Sequence, residues 1–189
     1  MEMIQARSEW SCPLRPLETG EGIPTLYTPR LILRPLVLEV VPVLHRIYQT
    51  EGVLEYFPNP TPPPVEKVEP FISSQKTHWK HNGYGNWAIV PIEAAEMIGW
   101  AGLQYLPETD EVEVGYLLDR PFWGKGYATE AAQASVNYGF TKFHFPEIIA
   151  LVHPDNAASL RVAAKCGFTI VERKVYWGIE MVRHVIHPG

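Results

Sequence analysis

A loop with two glycines, placed directly before a predicted helix, is the segment of this sequence best suited to bind a charged group. It consists of Trp123-Gly124-Lys125-Gly126-Tyr127-Ala128-Thr129 and joins a predicted strand at 111–118 to the helix that follows. The first turn of a helix leaves backbone N–H groups without partners and has the positive end of the helix dipole. Glycines just before it let the backbone approach a ligand closely. The loop is therefore either a phosphate-binding site or an ordinary strand-to-helix turn that needs small residues.

Two glutamates on the strand before this loop are candidates for a general base. Side chains alternate along a strand, so Glu111 and Glu113 share one face while Val112, Val114 and Tyr116 share the other. The valines are expected to pack on the core, which leaves the glutamates facing a cleft or solvent. A carboxylate in that position either accepts a proton from a substrate or has a structural role, bound to backbone groups or to an arginine.

The composition describes one globular domain and excludes several classes of protein. The chain has 189 residues, of which 46% are hydrophobic and 20% charged, enough for a single core. A net charge of −5 offers no basic surface for a nucleic acid. No apolar run reaches the roughly 18 residues of a membrane span, and the N-terminus lacks a signal pattern. Cys12 and Cys166 predict neither a disulfide nor a metal site, and the cytoplasm is the simplest location.

Hydrophobic periodicity divides the chain into an arm and a domain. Residues 1–27 are rich in proline and glycine and are expected to form an extended or partly ordered arm, followed by a domain at 28–187. Short links favour an antiparallel meander in the middle of the domain, and a strand–helix–strand unit over 111–152 favours parallel strands. The predicted elements are a strand at 28–36, helices at 38–50 and 65–81, strands at 87–90, 97–103 and 111–118, a helix at 128–143, a strand at 148–152, a helix capped by Asn156, and strands at 168–176 and 179–186.

Three motifs stand in a fixed order within this domain. The first is Thr28-Pro-Arg-Leu-Ile-Leu-Arg-Pro-Leu36, on the opening strand. The second is Glu113-Val-Gly-Tyr116 followed by Pro121-Phe-Trp-Gly-Lys-Gly-Tyr-Ala-Thr-Glu-Ala131, and the third is Asn156-Ala-Ala-Ser159 followed by Lys165-Cys-Gly-Phe168. Together they resemble the GNAT superfamily of acyl-CoA-dependent N-acetyltransferases, and in particular its branch of RimJ- and RimL-like ribosomal-protein N-terminal acetyltransferases.

The resemblance implies an α/β (α+β) fold with a mixed, mostly antiparallel central sheet flanked by helices. The sheet would be splayed between the strands at 111–118 and 148–152, and acetyl-CoA, the acyl donor, would lie in the opening with its pantetheine arm as an extra strand. The arm would bond to main-chain groups of Tyr116, Leu117 and Leu118, and the diphosphate to amides from Gly124 to Thr129.

The same resemblance assigns the remaining contacts to the donor. Asn156 would cap its helix, contact the pantetheine arm, or do both. Ser159 would face the cofactor sulfur or bond to its own backbone. Trp123 stands where much of the superfamily has glutamine or arginine, and Lys125 would add charge to the phosphates or stay solvated.

The implied reaction is direct attack by a neutral amine on the acetyl group in a ternary complex. Glu113 is the preferred base, directly or through a water, and Glu111 is the reserve. Some relatives protonate the leaving thiolate with a late tyrosine, but that position here is Ala163. Ser159 or Tyr176 would substitute, or the thiolate would leave without help. Aromatic candidates for the acceptor pocket are Tyr56, Phe57, Trp79, Trp87, Trp100 and Tyr105.

Two alternatives to this enzyme remain at the level of sequence. One is a GNAT-fold protein that binds acyl-CoA without catalysis, and the other is a dinucleotide-dependent oxidoreductase, whose GxGxxG pattern the loop almost matches. For the enzyme, the acceptor would be a peptide N-terminus or a small amine, with no nucleic acid, membrane or metal involved. The assembly would be a monomer or a homodimer.

Overall fold

An eight-stranded mixed sheet, flanked by four α-helices, forms the part of the chain that the computed structural model describes, residues 22–94 and 96–189. The strands are Leu26–Tyr27 (β1), Leu31–Pro35 (β2), Asn86–Pro91 (β3), Gly99–Leu106 (β4), Glu111–Leu118 (β5), Ile148–Val152 (β6), Thr169–Tyr176 (β7) and Ile179–Ile186 (β8). The helices are Val41–Gln49 (α1), Val68–Asn82 (α2), Tyr127–Phe143 (α3) and Ala157–Cys166 (α4). This element order is the predicted one, with β1 in addition.

The strands run in the order β1-β2-β3-β4-β5-β6-β8-β7, and every neighbouring pair is antiparallel except β5 and β6. β4 and β5 pair along their whole length, from Gly99↔Leu118 to Leu106↔Glu111. β5 and β6 share the single parallel pair Glu113↔Ile149. The sheet is therefore open between β5 and β6 beyond that pair, as the resemblance to the GNAT fold implied.

Gly99 allows β4 to pair with the end of β5 next to this opening. A Cβ atom at Gly99 would stand 2.0 Å from the carbonyl oxygen of Leu117, a distance at which the two strands would have to separate. The predicted strand began at residue 97, whereas β4 begins at Gly99; Ile98 still donates its N–H to the carbonyl of Ile89 at 2.9 Å and accepts the N–H of Asp119 at 2.8 Å. β4 instead extends to Leu106, because its last residues pair with the start of β5.

Helices cover both faces of the sheet. α3 packs on β4 and β5 with small buried residues, among them Ala131, Ala132 and Ser135, which let the helix approach closely. α1 and α2 cover the opposite face. β6 is buried on both sides, since Ile148 belongs to the α3 cluster and Ile149 to a third cluster next to β8. The continuous apolar run at 148–152 predicted this doubly buried strand.

The predicted arm at 1–27 falls mainly outside the described residues, because the structure describes the chain from residue 22. Its end is attached to the sheet, since Leu26 and Tyr27 pair with Leu33 and Ile32, and the indole of Trp87 donates to the carbonyl of Pro24 at 2.7 Å. No helix in residues 22–94 and 96–189 is long and apolar enough to cross a membrane.

Candidate active site

A cavity of about 860 Å³ lies where β5 and β6 separate. Its walls come from β5, the glycine loop with the start of α3, the end of β6, the first turns of α4, and the loop after α1. Its volume is within the range of cofactor and small-molecule sites. Most of the residues that the sequence predicted for donor binding therefore lie around one space.

The glycine loop presents the start of α3 to this cavity. Gly124 and Gly126 adopt positive φ angles of 73° and 82°, a left-handed conformation that glycine takes at little cost. Gly126 is the N-cap residue, and no side chain caps the helix there. The amides of Tyr127, Ala128 and Thr129 thus lie at an uncapped helix start in the cavity wall, where they are available to an anion.

An ion pair between Arg30 and Glu130, called here the Arg30–Glu130 latch, holds this loop against the start of β2. Glu130 accepts hydrogen bonds from Thr28 Oγ1 at 2.7 Å, from the Arg30 backbone N at 2.9 Å and from Arg30 Nε at 2.7 Å. Arg30 Nη1 also donates to the carbonyl of Lys125 at 2.9 Å, and the guanidinium lies 4.9 Å from the centre of the Tyr127 ring. Partial burial raises the pKa of Glu130, but these bonds outweigh it and lower the pKa.

Trp123 and Lys125, two further residues of the glycine loop, make separate contacts. Trp123 Nε1 donates to the carbonyl of Leu118 at 2.7 Å, which fixes the loop to the end of β5, and the ring remains 45% exposed in the cavity wall. Lys125 is exposed, with Nζ 5.1 Å from the centre of the Phe122 ring. The ammonium group is therefore engaged with an aromatic ring at the surface of the loop.

Tyr116, Ser159 and Asn156 form a hydrogen-bonded line across the opening. Tyr116 Oη and Ser159 Oγ are 2.6 Å apart, and the backbone N–H of Ser159 donates to Asn156 Oδ1 at 3.0 Å. Asn156 is the cap of α4, as predicted, and Ser159 Oγ bonds to Tyr116 rather than to its own helix. Burial raises the pKa of the Tyr116 phenol well above its ordinary value, so the phenol keeps its proton at neutral pH.

Glu113 lies at the point where β5 and β6 diverge. Its side chain faces the cavity, on the side of the sheet opposite to Tyr116. Burial raises its pKa to about 8, although a hydrogen bond from the backbone N–H of Leu151 favours the charged form and opposes the shift. The nearby Glu111 carboxylate raises the pKa further. A carboxyl group with this pKa exchanges a proton near neutral pH.

Glu111 and Tyr176 lie in a different environment from Glu113. Arg183 Nε donates to Glu111 Oε1 at 2.8 Å, and Arg183 Nη2 also contacts Glu147 Oε1 at 3.0 Å. The Tyr176 hydroxyl donates to Glu111 Oε2 at 3.4 Å, and the ring packs in the third cluster, on β7. The structure therefore brings Glu113 and Ser159 to the cavity and places Tyr176 with the Glu111 ion pair.

Aromatic and acidic side chains line the side of the cavity formed by the loop after α1. Of the six aromatic candidates, Tyr56, Phe57 and Trp100 line the cavity, whereas Trp79 and Trp87 are buried in the α3 cluster and Tyr105 lies away from the cavity, with its hydroxyl donating to Asp110 Oδ1 at 2.8 Å. The centres of the Tyr56 and His153 rings lie 5.3 Å apart. Desolvation raises the pKa of the Tyr56 phenol, and the carboxylates of Glu55 and Asp155 raise it further. His153 was not predicted as a site residue from the sequence. Its place directly after β6 is a usable signal, because ligands bind beyond the carboxyl ends of such strands.

A further wall residue comes from the turn between β7 and β8. Trp177 borders the cavity from this turn, together with Met181. Among residues 22–94 and 96–189, no group of three or more His, Cys, Asp or Glu side chains is arranged to hold a metal ion.

Comparison with known proteins identifies the family to which this chain belongs. Residues 30–169 match the family model described as the acetyltransferase (GNAT) domain. The chain therefore belongs to the GNAT acetyltransferase family and is an N-acetyltransferase.

Individual relatives agree with this assignment. The chain is 34% identical over 146 residues to the uncharacterized N-acetyltransferase p20 of Bacillus licheniformis, a match that covers 76% of this chain and 82% of p20. It is 33% identical over 175 residues to the FsC-acetyl coenzyme A-N(2)-transacetylase of Aspergillus fumigatus, covering 82% and 68%. The structure of Mycobacterium smegmatis RimJ in complex with CoA-disulfide has the same fold, with a TM-score of 0.72 at 19% identity over 83% of this chain and 81% of that chain.

Proposed function

We propose that this protein transfers the acetyl group of acetyl-CoA to a primary amine by direct attack in a ternary complex. One observation supports this most strongly. The single cavity between β5 and β6 has an uncapped helix start in one part of its wall and a carboxyl group with a pKa of about 8 in another. The first suits a diphosphate, and the second suits the removal of a proton from an ammonium group.

The donor would lie in the opening of the sheet. The amides from Gly124 to Thr129 would bind the diphosphate, and the pantetheine arm would pair with the free edge of β5 near Leu117 and Leu118. Arg161 and Lys165 stand four residues apart on α4 and also line the cavity. Lys165 lies near the start of α3, because Gln133 Nε2 donates to its carbonyl at 3.4 Å. Both cations would therefore favour an anionic donor on this side.

Glu113 would act as the base. A free α-amine has a pKa of about 7.7–8.0, close to that of this carboxyl group, so proton transfer between them would be nearly balanced in energy. The backbone N–H of Leu117 or Leu118 would stabilise the oxyanion formed on attack. Ser159, bonded to Tyr116, would return a proton to the CoA thiolate.

The acceptor would enter on the side lined by Tyr56, Phe57, Trp100 and Trp177. Aromatic faces attract ammonium groups, and the carboxylates of Glu55 and Asp155 border the same region. The acceptor would be a protein N-terminal amine or a small-molecule amine. The name of the Aspergillus relative includes acetyl coenzyme A and an N(2) transfer, which supports an acceptor that is acetylated on nitrogen. A cytoplasmic location stays a prediction.

Two measurements test this proposal. Calorimetric titration should show binding of acetyl-CoA and no binding of NADH, and NADH binding would return the oxidoreductase alternative. A thiol-release assay should then detect CoA formation with at least one member of a panel of N-terminal peptides, diamines and amino sugars. Tight acetyl-CoA binding with no turnover on any acceptor would favour the non-catalytic alternative. The variant Glu113→Gln is the matched control for background hydrolysis.

A further inference from the structure

Gln104 lies on β4 directly opposite Glu113 on β5, and both side chains belong to the wall of the same cavity. Gln104 is the one exposed residue of β4. Directly opposite residues of an antiparallel pair point to the same face, with Cβ atoms about 4.5–5.5 Å apart. Within residues 22–94 and 96–189, the Gln104 side chain has no hydrogen-bond partner. Its amide is therefore free to bond to a ligand beside the Glu113 carboxyl group.

The next pair of the β4–β5 ladder on this face, Gly102↔Gly115, has no side chains. A Cβ atom at Gly102 would stand 2.1 Å from the carbonyl oxygen of Gly85, so backbone covers that position. At Gly115, which lines the cavity, the nearest heavy atom to a Cβ would be in the Trp100 ring, at 3.4 Å. A space, called here the Gly115 slot, thus lies between this ring and the two polar side chains.

The surroundings of the Gly115 slot suit a group that donates hydrogen bonds. On one side are the carboxyl oxygens of Glu113 and the amide oxygen of Gln104, and on the other is the aromatic ring of Trp100. The two cations of the cavity wall, Arg161 and Lys165, belong to α4, on the side assigned to the donor. An ammonium group only donates hydrogen bonds and is attracted to aromatic faces.

We infer that Gln104 is a specificity-determining residue for the acceptor, whose reacting nitrogen lies in the Gly115 slot. This inference rests on the proposed acetyl transfer. One N–H of the acceptor ammonium group faces the Glu113 carboxylate, and a second donates to Gln104 Oε1. Once Glu113 has taken the first proton, the bond to Gln104 holds the neutral nitrogen, and its lone pair is free to attack the acetyl carbon. Gln104 itself exchanges no proton.

Gln104→Met tests the contact, because it keeps the length of the side chain and removes the amide. With the amine that the parent chain acetylates fastest, kcat/KM should fall about ten- to hundredfold, the size of one hydrogen bond to a charged group. The dissociation constant for acetyl-CoA should change less than about twofold, since the backbone makes most of the proposed donor contacts. Tyr105→Phe is the matched control: Tyr105 is the next residue of β4, faces the other side and bonds to Asp110, so both quantities should stay the same.

Gln104→Glu tests the distance to Glu113. A second carboxylate beside Glu113 disfavours its charged form, so the Glu113 pKa should rise by about one unit, and the pH midpoint of kcat should rise with it. NMR of isotope-labelled carboxyl groups measures the first quantity without any turnover. The other groups that act on Glu113, the Glu111 carboxylate and the N–H of Leu151, are unchanged in this variant. Because an oxygen acceptor remains at residue 104, the KM for the amine should stay close to that of the parent chain.

Gly115→Ala tests the slot. The added methyl group would lie 3.4 Å from the Trp100 ring, an ordinary contact, so the melting temperature should change little. The methyl group would occupy the proposed position of the acceptor nitrogen, and the KM for the amine should therefore rise about fivefold or more.

The outcomes separate this inference from the proposed function. If the parent chain released no thiol with any amine, both would be removed. Turnover by the parent chain with an unchanged kcat/KM in Gln104→Met, or a Glu113 pKa that Gln104→Glu does not raise, would overturn the role of Gln104 alone. Circular dichroism and thermal melting show that each variant is folded.

Discussion

The hydroxyl of Tyr116 lies 2.6 Å from Ser159 Oγ, and this contact joins β5 to α4 across the opening of the sheet. Asn156 accepts the backbone N–H of the same serine, so the helix cap also orients the serine hydroxyl. Both hydroxyl groups belong to the wall of the cavity. A proton on this pair is therefore held at a defined position beside the space assigned to the donor.

Removal of either hydroxyl should lower turnover more than donor affinity. Tyr116→Phe and Ser159→Ala should each reduce kcat about ten- to hundredfold, because a positioned proton donor contributes roughly 10²- to 10⁴-fold to such steps. The dissociation constant for acetyl-CoA should change less than about threefold, since the backbone makes most of the proposed contacts. Steady-state kinetics and calorimetry measure the two quantities. An unchanged kcat in both variants would show that the thiolate leaves without this pair.

Glu113 should make turnover depend on pH near neutrality. Burial raises its pKa to about 8, so the carboxylate form that accepts a proton increases as pH rises through that value. In the parent chain kcat should therefore rise between about pH 6.5 and 9, and Glu113→Gln should be slower by about tenfold or more. Glu111→Gln is the comparison variant, because the Glu111 carboxylate is bound to Arg183. Equal losses in both variants would remove Glu113 as the base.

Ionisation of the same carboxyl group should lower the stability of the fold, so stability should fall over the pH range in which kcat rises. Its pKa rises from the ordinary 4.5 to about 8 on folding, so the neutral form is the one that the fold favours. The folded state then loses stability as pH rises from about 4.5 to 8, and the loss is constant above that range. Because the group faces an open cavity, the effect should be about 1–2 kcal/mol, well below the value that the full shift would give.

Thermal unfolding between pH 4.5 and 9 measures this effect. Glu113→Gln cannot ionise at this position. The melting temperature of the variant relative to that of the parent chain should therefore be a few degrees higher at pH 8–9 than at pH 4.5. Parallel curves for the two proteins over the whole range would show that the carboxyl group has an ordinary pKa.

The Arg30–Glu130 latch should matter for binding of the diphosphate. Arg30→Gln removes the guanidinium bonds to Glu130 and to the carbonyl of Lys125, so the attachment of the loop is weakened, while the bonds from Thr28 Oγ1 and the residue-30 backbone to Glu130 remain. Acetyl-CoA affinity should fall about five- to tenfold, whereas affinity for an S-acetyl pantetheine that lacks the diphosphate should stay the same. Arg30→Lys keeps the charge but loses the two-point contact, and it should be intermediate. Equal losses for both ligands would indicate general destabilisation.

Local signals in the sequence were sufficient for the elements and for part of the site. The apolar run at 148–152 predicted β6, and Asn156 was predicted as the cap of α4. The contact between Arg30 and Glu130 joins residues 100 positions apart, and that between Tyr116 and Ser159 joins residues 43 apart. Such contacts depend on strand order and on the separation of β5 from β6. Hydrophobic periodicity predicts neither the strand order nor that separation. The motif that begins at Thr28 was therefore recognised in the sequence, but its contact with Glu130 was not.

The sheet has two parts, β1–β5 and β6–β8, called here the two plates. Only the residue pair Glu113↔Ile149 joins them in the ladder. Few backbone hydrogen bonds between β5 and β6 then resist a change in the angle between the plates. A ligand with amide groups between the plates would supply the missing rungs. Backbone amides at 115–118 and 151–152 should therefore exchange with deuterium more slowly once the donor is bound, as the two plates become one.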